Sequence, residues 1–446
     1  MATLDAIRAL FPITTRCFVA PDGTTRRIIY LDHGATTHPP RPVLDYYREF
    51  LENYYANIHR GKHYLSQKAS DLFDEVTATV LRFVGATDRN REVIFTSNTT
   101  TAIDIAAHLM KSCQGGTIVT EMEHHSNDLP HRRAGEVWRA HVTPEGRLDY
   151  DEIAALLASH DVKLVAVTGA SNVSGYLTDI HRIARLAHAH GAKILVDGAQ
   201  LLAHRRVTLD GTGPDDRIDF FAAAGHKAYA PFGAAFLIAP ADICESTAPY
   251  IPGGGTVRYV TNDNVLWGDG HHKHSGGTPN IPGVIALGRA LEWLEEIGME
   301  WIMEHERELS TYLYDKLSAM RGITIYGSIT PDEKLGVYPF NVAGYRHDEA
   351  STILNNRFGI ATRNGCFCAH PYVNRLMNVC TEECDMRMME NDPTFSLPGA
   401  VRATIGIFNT REDLDALCDA LNEMVAHPEW AAEAITDDEM RCSDFA

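Results

Sequence analysis

The chain has 446 residues, 45% hydrophobic and 22% charged, a mix that buries a core and excludes disorder, collagen-like repeats and small disulfide scaffolds. Forty Lys and Arg stand against 59 Asp and Glu, and the net charge of −19 argues against nucleic acid or an anionic membrane as partner. No apolar run reaches membrane-spanning length, residues 1–5 lack the basic-then-apolar layout of a secretory signal, and nine mostly isolated cysteines fit a reduced, cytoplasmic compartment.

From about residue 28 to 239, short β-branched runs alternate with helical patterns, as in βαβ units around a mostly parallel sheet. Residues 93–95, 117–119, 164–167, 194–196, 218–221 and 234–238 read as strands. Ligands of such sheets bind beyond the carboxyl ends of the strands, so functional residues are expected directly after these runs. Residues 252–280, bracketed by Gly253-Gly254-Gly255 and Gly276-Gly277, read as a long loop without periodicity. A helix starts near Pro282, with Leu287, Leu291, Leu294 and Ile297 on one face. The domain junction is expected there. Residues 28–282 then form a large cofactor-binding domain, 1–27 and 283–430 a smaller α/β domain with strand material at Val342 and 401–405, and 431–446 an acidic tail.

Following 93–95 comes Thr96-Ser97-Asn98-Thr99-Thr100-Thr101 and a helical pattern. Free N–H groups at that helix start, with the hydroxyls of Thr99 and Thr100, make either a phosphate cradle or an ordinary cap. After 117–119, Glu123-His124-His125 offers a histidine that either stacks on a flat ligand or lies on the surface. After 164–167, Ser171-Asn172 is either a hydrogen-bonder to a ligand or a turn. Two further turns carry more. One strand ends in Asp197-Gly198-Ala199-Gln200, and a carboxylate buried at a strand end needs a partner, such as a protonated ring nitrogen. Thirty positions on, Gly225-His226-Lys227 sets a lysine among small apolar neighbours, where desolvation favours the free amine that forms Schiff bases. An Asp for a pyridinium, a Lys for an imine and a phosphate cradle together specify pyridoxal 5'-phosphate.

These residues share their order and spacing with further motifs: Tyr30-Leu31-Asp32, Asn57-Ile58-His59-Arg60-Gly61, Gly277-Thr278-Pro279-Asn280, Arg363-Asn364-Gly365 with Cys368-Ala369, and Val401-Arg402-Ala403. On them the chain resembles, from about Ile7 to Glu423, the class V aminotransferase and cysteine desulfurase group of fold-type I pyridoxal-phosphate enzymes. The resemblance implies an α/β fold: a large domain with a mostly parallel seven-stranded sheet flanked by helices, a smaller C-terminal α/β domain, and a homodimer. It implies that Lys227 holds the cofactor covalently, Asp197 binds its pyridine nitrogen, Gln200 reaches its phenolic oxygen and His124 stacks on its ring. Thr99, Thr100 and His226 would hold the phosphate, with Thr278 supplied by the neighbouring subunit. Asn172 and Arg402 would hold an amino-acid substrate, the arginine by a bidentate grip on the α-carboxylate, with Arg363 assisting.

The family commonly has a serine before Gly225-His226-Lys227; Ala224 stands here, which implies somewhat weaker cofactor holding. Cys368 matches the nucleophile of the desulfurase group with an Arg-x-Gly-x-x-Cys loop, and Gly365-Cys366-Phe367-Cys368 also resembles the desulfurase domain of molybdenum cofactor sulfurases. Arg402 follows Cys368 by 34 positions, more than in most short-loop desulfurases, and the added segment carries Cys380 and Cys384. The four cysteines read as redox-active or buried thiols rather than a metal site, because paired ligands favour Cys-x-x-Cys, and no metal is expected. His271-His272-Lys273-His274 reads as a solvated loop lining the site, since neighbours on an extended chain point to opposite sides.

The implied activity is removal of sulfur from L-cysteine or a close analogue. Lys227 takes the α-proton and the Cys368 thiolate attacks the substrate sulfur, leaving alanine and a Cys368 persulfide for an acceptor. A C–S lyase giving pyruvate and ammonia is the alternative on the same cofactor, and an aminotransferase or epimerase would need no thiol. A partner-binding relative without turnover is opposed by the intact Asp197, Gln200 and Lys227. No carrier domain is recognisable, so the acceptor is expected to be a separate small protein or a cofactor precursor.

Overall fold

Seven strands form the main sheet: β1 (Arg91–Thr96), β2 (Gly116–Thr120), β3 (Val137–Ala140), β4 (Val162–Thr168), β5 (Lys193–Asp197), β6 (Phe220–Ala224) and β7 (Ala235–Pro240). The structure, a computed structural model, describes residues 3–379 and 397–432; Cys380, Cys384 and most of the expected tail lie outside the described residues. The strand order is β1-β7-β6-β5-β4-β2-β3. Strands β2 to β6 pair in parallel, and β7 runs antiparallel to both β6 and β1. Every residue of β2, β4 and β6 is buried. Apart from Lys163 and the threonines of β2 and β4 these runs are apolar, which is what a sheet covered on both faces requires. Alternate residues feed two cores: Val165, Val167 and Val196 pack on one face, and Leu164, Ala166 and Leu195 on the other.

The sequence reading omits β3. It is a four-residue strand at the edge of the sheet, with Arg139 interrupting its apolar run. The helix expected near Pro282 is present as Ile281–Ile297, opened by the Asn280 side chain, which accepts the Gly283 N–H at 3.2 Å. Its burial is wider than one face: Val284, Ala286 and Trp293 are covered along with Leu287, Leu291 and Leu294.

A second, antiparallel sheet comprises β8 (Ile323–Ile325), β9 (Val337–Val342), β10 (Arg363–Gly365) and β11 (Ala400–Thr404), in the order β8-β9-β11-β10. It shares a separate core with the helices Met299–Ala319, His347–Phe358 and Arg411–Ala426, through Leu313, Tyr338, Leu354 and Leu417.

The stretch 252–280 differs from the expected loop. Val257–Val260 and Val265–Trp267 pair as an antiparallel hairpin, and Gly270–His274 is a short helix. The four residues from His271 to His274 are therefore helical rather than extended, and only in part solvated, with His272 exposed. Lys273 and His274 are buried, His274 Nε2 lies 2.9 Å from the Cys244 carbonyl, and His271 Nδ1 lies 2.7 Å from Glu92. Among the described residues no helix is long and apolar enough to cross a membrane.

Candidate active site

Strand register builds the site. Thr168 pairs with Asp197 and Asp197 with Ala222, so β4, β5 and β6 end side by side. The turns that follow β4, β5 and β6 open with the second sheet into a cavity of about 610 Å³. All the site residues expected from the sequence line it except Thr278, which lines two adjoining cavities with Gly277 and Pro279. None of residues 271–274 lines it, but His271 and His272 line one of the Thr278 cavities and His274 the other.

Lys227 follows β6 in a short 3-10 turn, Gly225–Lys227. The His226 carbonyl just before it accepts the Thr37 N–H at 2.8 Å and the Thr36 hydroxyl at 2.9 Å, so the N-terminal segment fixes the turn. Burial pulls the Lys227 amine down to about 8, with Asp197 opposing. Asp197 is 5% exposed; burial raises its carboxyl, against the Ala199 N–H, which donates to it at 2.9 Å, and the Lys227 charge. Gln200 donates its amide to the Gly34 carbonyl at 2.6 Å.

His124 precedes the 3-10 turn His125–Asn127, and its Nδ1 accepts the Ser126 N–H at 3.1 Å. Burial, then the Lys227 charge, holds it down to about 3, so the ring is neutral. Beneath it Glu123 is buried, accepts hydrogen bonds from Thr120 at 2.7 Å and Asn127 at 2.6 Å, and is pushed up to about 8 by burial. Helix Thr99–Leu109 points its start at the cavity; the Asn98 side chain caps the Thr101 N–H at 2.9 Å, and Thr100 Oγ1 lies 2.6 Å from Ser126 Oγ. His226 stacks on Phe232 at 5.2 Å and burial holds it down to about 4.

The opposite wall comes from the second sheet. Arg402, on β11, is 3% exposed and donates to the Asn172 carbonyl at 2.8 Å, while the Asn172 amide donates to the Phe367 carbonyl at 2.7 Å. Its guanidinium lies 4.9 Å from the Phe367 ring. Cys366, Phe367 and Cys368 form a tight turn closed by the Ala369 N–H on the Cys366 carbonyl at 3.0 Å. Phe367 and Cys368 both adopt left-handed backbone, with φ of 54° and 56°, a strain that side-chain-bearing residues keep only where the surroundings enforce it. Here the enforcement is visible: Phe367 is buried under Arg402, and the Cys368 carbonyl accepts the His125 N–H at 2.7 Å. The Cys368 thiol is exposed.

Sequence reasoning quoted Asp32 only as part of a motif. Its carboxylate bridges Arg402 at 3.3 Å and Arg363 at 3.1 Å. It missed Glu123 too, although an acid next to a candidate histidine, directly after a buried strand, was a usable signal. Among the described residues no three His, Cys, Asp or Glu side chains gather as metal ligands.

Residues 29–417 match the aminotransferase class-V family. The chain belongs to that family. Similar relatives of this class-V aminotransferase chain include a cysteine desulfurase of Haloferax volcanii, 33% identical over 94% of this chain and 96% of the relative. Another is a cysteine desulfurase of Klebsiella pneumoniae, 31% identical over 95% of this chain and 98% of the relative. Among solved structures, the apo cysteine desulfurase of Thermococcus onnurineus superposes with a TM-score of 0.81 at 28% identity, covering 96% of this chain and 99% of that one. The Escherichia coli cysteine desulfurase CsdA, in an S-sulfonic acid form, gives 0.78 at 27% identity, covering 96% of this chain and 99% of that one.

The class-V enzymes depend on pyridoxal phosphate, and the donor set fits that group. A dry carboxylate, a lysine held near 8, a neutral imidazole and a capped helix start face one cavity. Among the described residues Asp197 has only a backbone N–H and the lysine charge to compensate it, which leaves an acceptor for a ring N–H.

Proposed function

We propose that the chain is a cysteine desulfurase that takes sulfur from L-cysteine or a close analogue and passes it through Cys368 to a separate acceptor protein. The observation that carries the reading is one cavity shared by Lys227, Asp197, the Arg363 and Arg402 pair and the Cys368 thiol. Pyridoxal phosphate, when bound, supplies a carbonyl for an amine and an electron-accepting ring. Lys227 would hold it covalently through its amine and, as the free amine, would be the base for the substrate α-proton. Asp197 would accept the N–H of the pyridine ring, and His124, whose ring is neutral, would lie against the cofactor without adding charge. Gln200 keeps a second N–H for the phenolic oxygen. The helix start at Thr99 and Thr100, with His226, would hold the phosphate.

Arg402 and Arg363 receive the α-carboxylate and Asn172 orients it. The Cys368 thiolate then attacks the substrate sulfur. The sulfur–carbon bond breaks with its electron pair left on the carbon, the sulfur remains on Cys368 as a persulfide, and the carbon skeleton, protonated there and again at the α-carbon, departs as alanine. A homodimer, with Thr278 reaching the partner's phosphate, is supported by the position of Thr278 outside its own Lys227 cavity. The division into a large domain over 28–282 and a small one over 1–27 and 283–430, and a cytoplasmic location, belong to the same proposal.

The test is product analysis of the holoenzyme with L-cysteine and a reducing acceptor. Alanine and sulfide are expected in equal amounts, and Cys368→Ser is expected to abolish both while keeping the visible cofactor band. Undiminished alanine from that variant overturns the nucleophile; pyruvate with ammonia from the parent protein overturns desulfuration in favour of elimination.

A further inference from the structure

Asp32 is clamped by its neighbours. The Thr404 N–H donates to the Leu31 carbonyl at 2.7 Å and the Gly34 N–H to Thr404 Oγ1 at 2.8 Å, so the backbone on both sides of Asp32 is tied to β11. The carboxylate gives one oxygen to each arginine: Oδ1 to Arg402 Nη2 at 3.3 Å, Oδ2 to Arg363 Nη2 at 3.1 Å. Arg402 is otherwise held by the Asn172 carbonyl and the Phe367 ring, and its Nε is buried without a partner among the described residues. Two guanidiniums and one carboxylate give this cluster a single positive charge. A ligand with one carboxylate brings it to zero. A ligand with two leaves it negative beside Arg402, which is buried, while water screens part of the charge at Arg363, whose side chain is 51% exposed.

We infer that Asp32 is a specificity-determining residue: it orients Arg402 and Arg363 toward one carboxylate and sets the pocket's charge so that monocarboxylic amino acids are preferred over dicarboxylic ones. The inference rests on the proposed reading of the cavity as an α-amino-acid site, and it names the substrate class of that site more narrowly. Asp32 would touch neither the reacting carbon nor the sulfur. It acts through the two arginines.

The test uses the holoenzyme and the visible absorption change on ligand binding, so turnover is not required. L-Alanine, with one carboxylate, and L-aspartate, with two, are titrated into the parent protein, Asp32→Asn and Asp32→Glu. The parent is expected to favour L-alanine. Asp32→Asn keeps the size and one acceptor but removes the charge, and is expected to shift the affinity ratio toward L-aspartate by about tenfold. Asp32→Glu is expected to return the ratio most of the way. Structural damage alone would weaken both ligands together. A ratio unchanged in Asp32→Asn, or moved as far by Asp32→Glu, overturns the inference while leaving the amino-acid site intact. A parent protein whose spectrum responds to neither ligand removes the amino-acid reading, and this inference with it.

Discussion

A lysine that must work as a free amine has to lose its proton near neutral pH, and Lys227 does so because it is dry. Burial pulls its amine from 10.5 to about 8, and the nearby Asp197 charge limits the fall. Only the neutral amine attacks a carbonyl, so the rate at which apoprotein takes up pyridoxal phosphate is expected to rise with pH through about 8, where an exposed lysine would rise near 10.5. In Asp197→Asn the ammonium loses its stabilising neighbour, so the inflection moves to lower pH; stopped-flow absorbance across a pH series reads both. An inflection that stays put in the variant would show that Asp197 does not act on this amine. Lys227 and Asp197 were legible because each follows an apolar run, where open α/β sheets put their ligands. Asp32 was not, because its meaning lies in its arginine partners, and the Arg402 contact spans 370 positions of sequence.

At the scale of elements, the turn after β5 shows how closely the site is built into the sheet. A Cβ on Gly198 would lie 2.1 Å from the Phe221 ring, which is itself fully buried and has nowhere to go. Gly198→Ala is expected to cost about 1–3 kcal/mol through overpacking. It also tilts Asp197 and Gln200, on either side of the clash, away from the cofactor. The measurements are the thermal midpoint of the apoprotein and the cofactor retained per chain after dialysis. Both are expected to fall, and an unchanged cofactor content would mean that the turn adapts without moving the acid. The central strands were readable because parallel strands buried on both faces are written as unbroken apolar runs. The hairpin at Val257–Trp267 was obscured by the glycines bracketing it, although Val257, Tyr259 and Val260 face Val265, Leu266 and Trp267 across a four-residue polar turn. Its exposed tip leaves no burial pattern to detect. Edge strand β3 was missed for the related reason that half-buried residues do not impose a period.

The whole molecule is laced through its N-terminal segment, which touches both sheets' territory. Ile29–Tyr30 pairs in parallel with Ile360–Ala361, Asp32 bridges the two arginines of the second sheet, and Thr36 and Thr37 hold the turn of Lys227. No periodicity encodes such a lace, since its partners lie at the far end of the chain. Its anchor is Asp413, in the first turn of the helix Arg411–Ala426 and 2% exposed. It accepts two hydrogen bonds from Arg8, at 2.8 and 3.1 Å, and one from Arg27 at 3.0 Å. Removing a buried acid strands its cations, at a cost of 3–5 kcal/mol when they too are buried; Arg8 and Arg27 are partly exposed and regain some water, so Asp413→Ala is expected to cost about 2–3 kcal/mol. The same change loosens the segment that steadies His226 and Lys227. Urea titration of the holoenzyme, followed by the visible cofactor band and by far-UV circular dichroism, separates the two effects. Both midpoints are expected to fall, and the cofactor band is expected to go first, because the segment releases the lysine turn before either core opens. Coincident midpoints would mean that the lace only adds stability and does not hold the site.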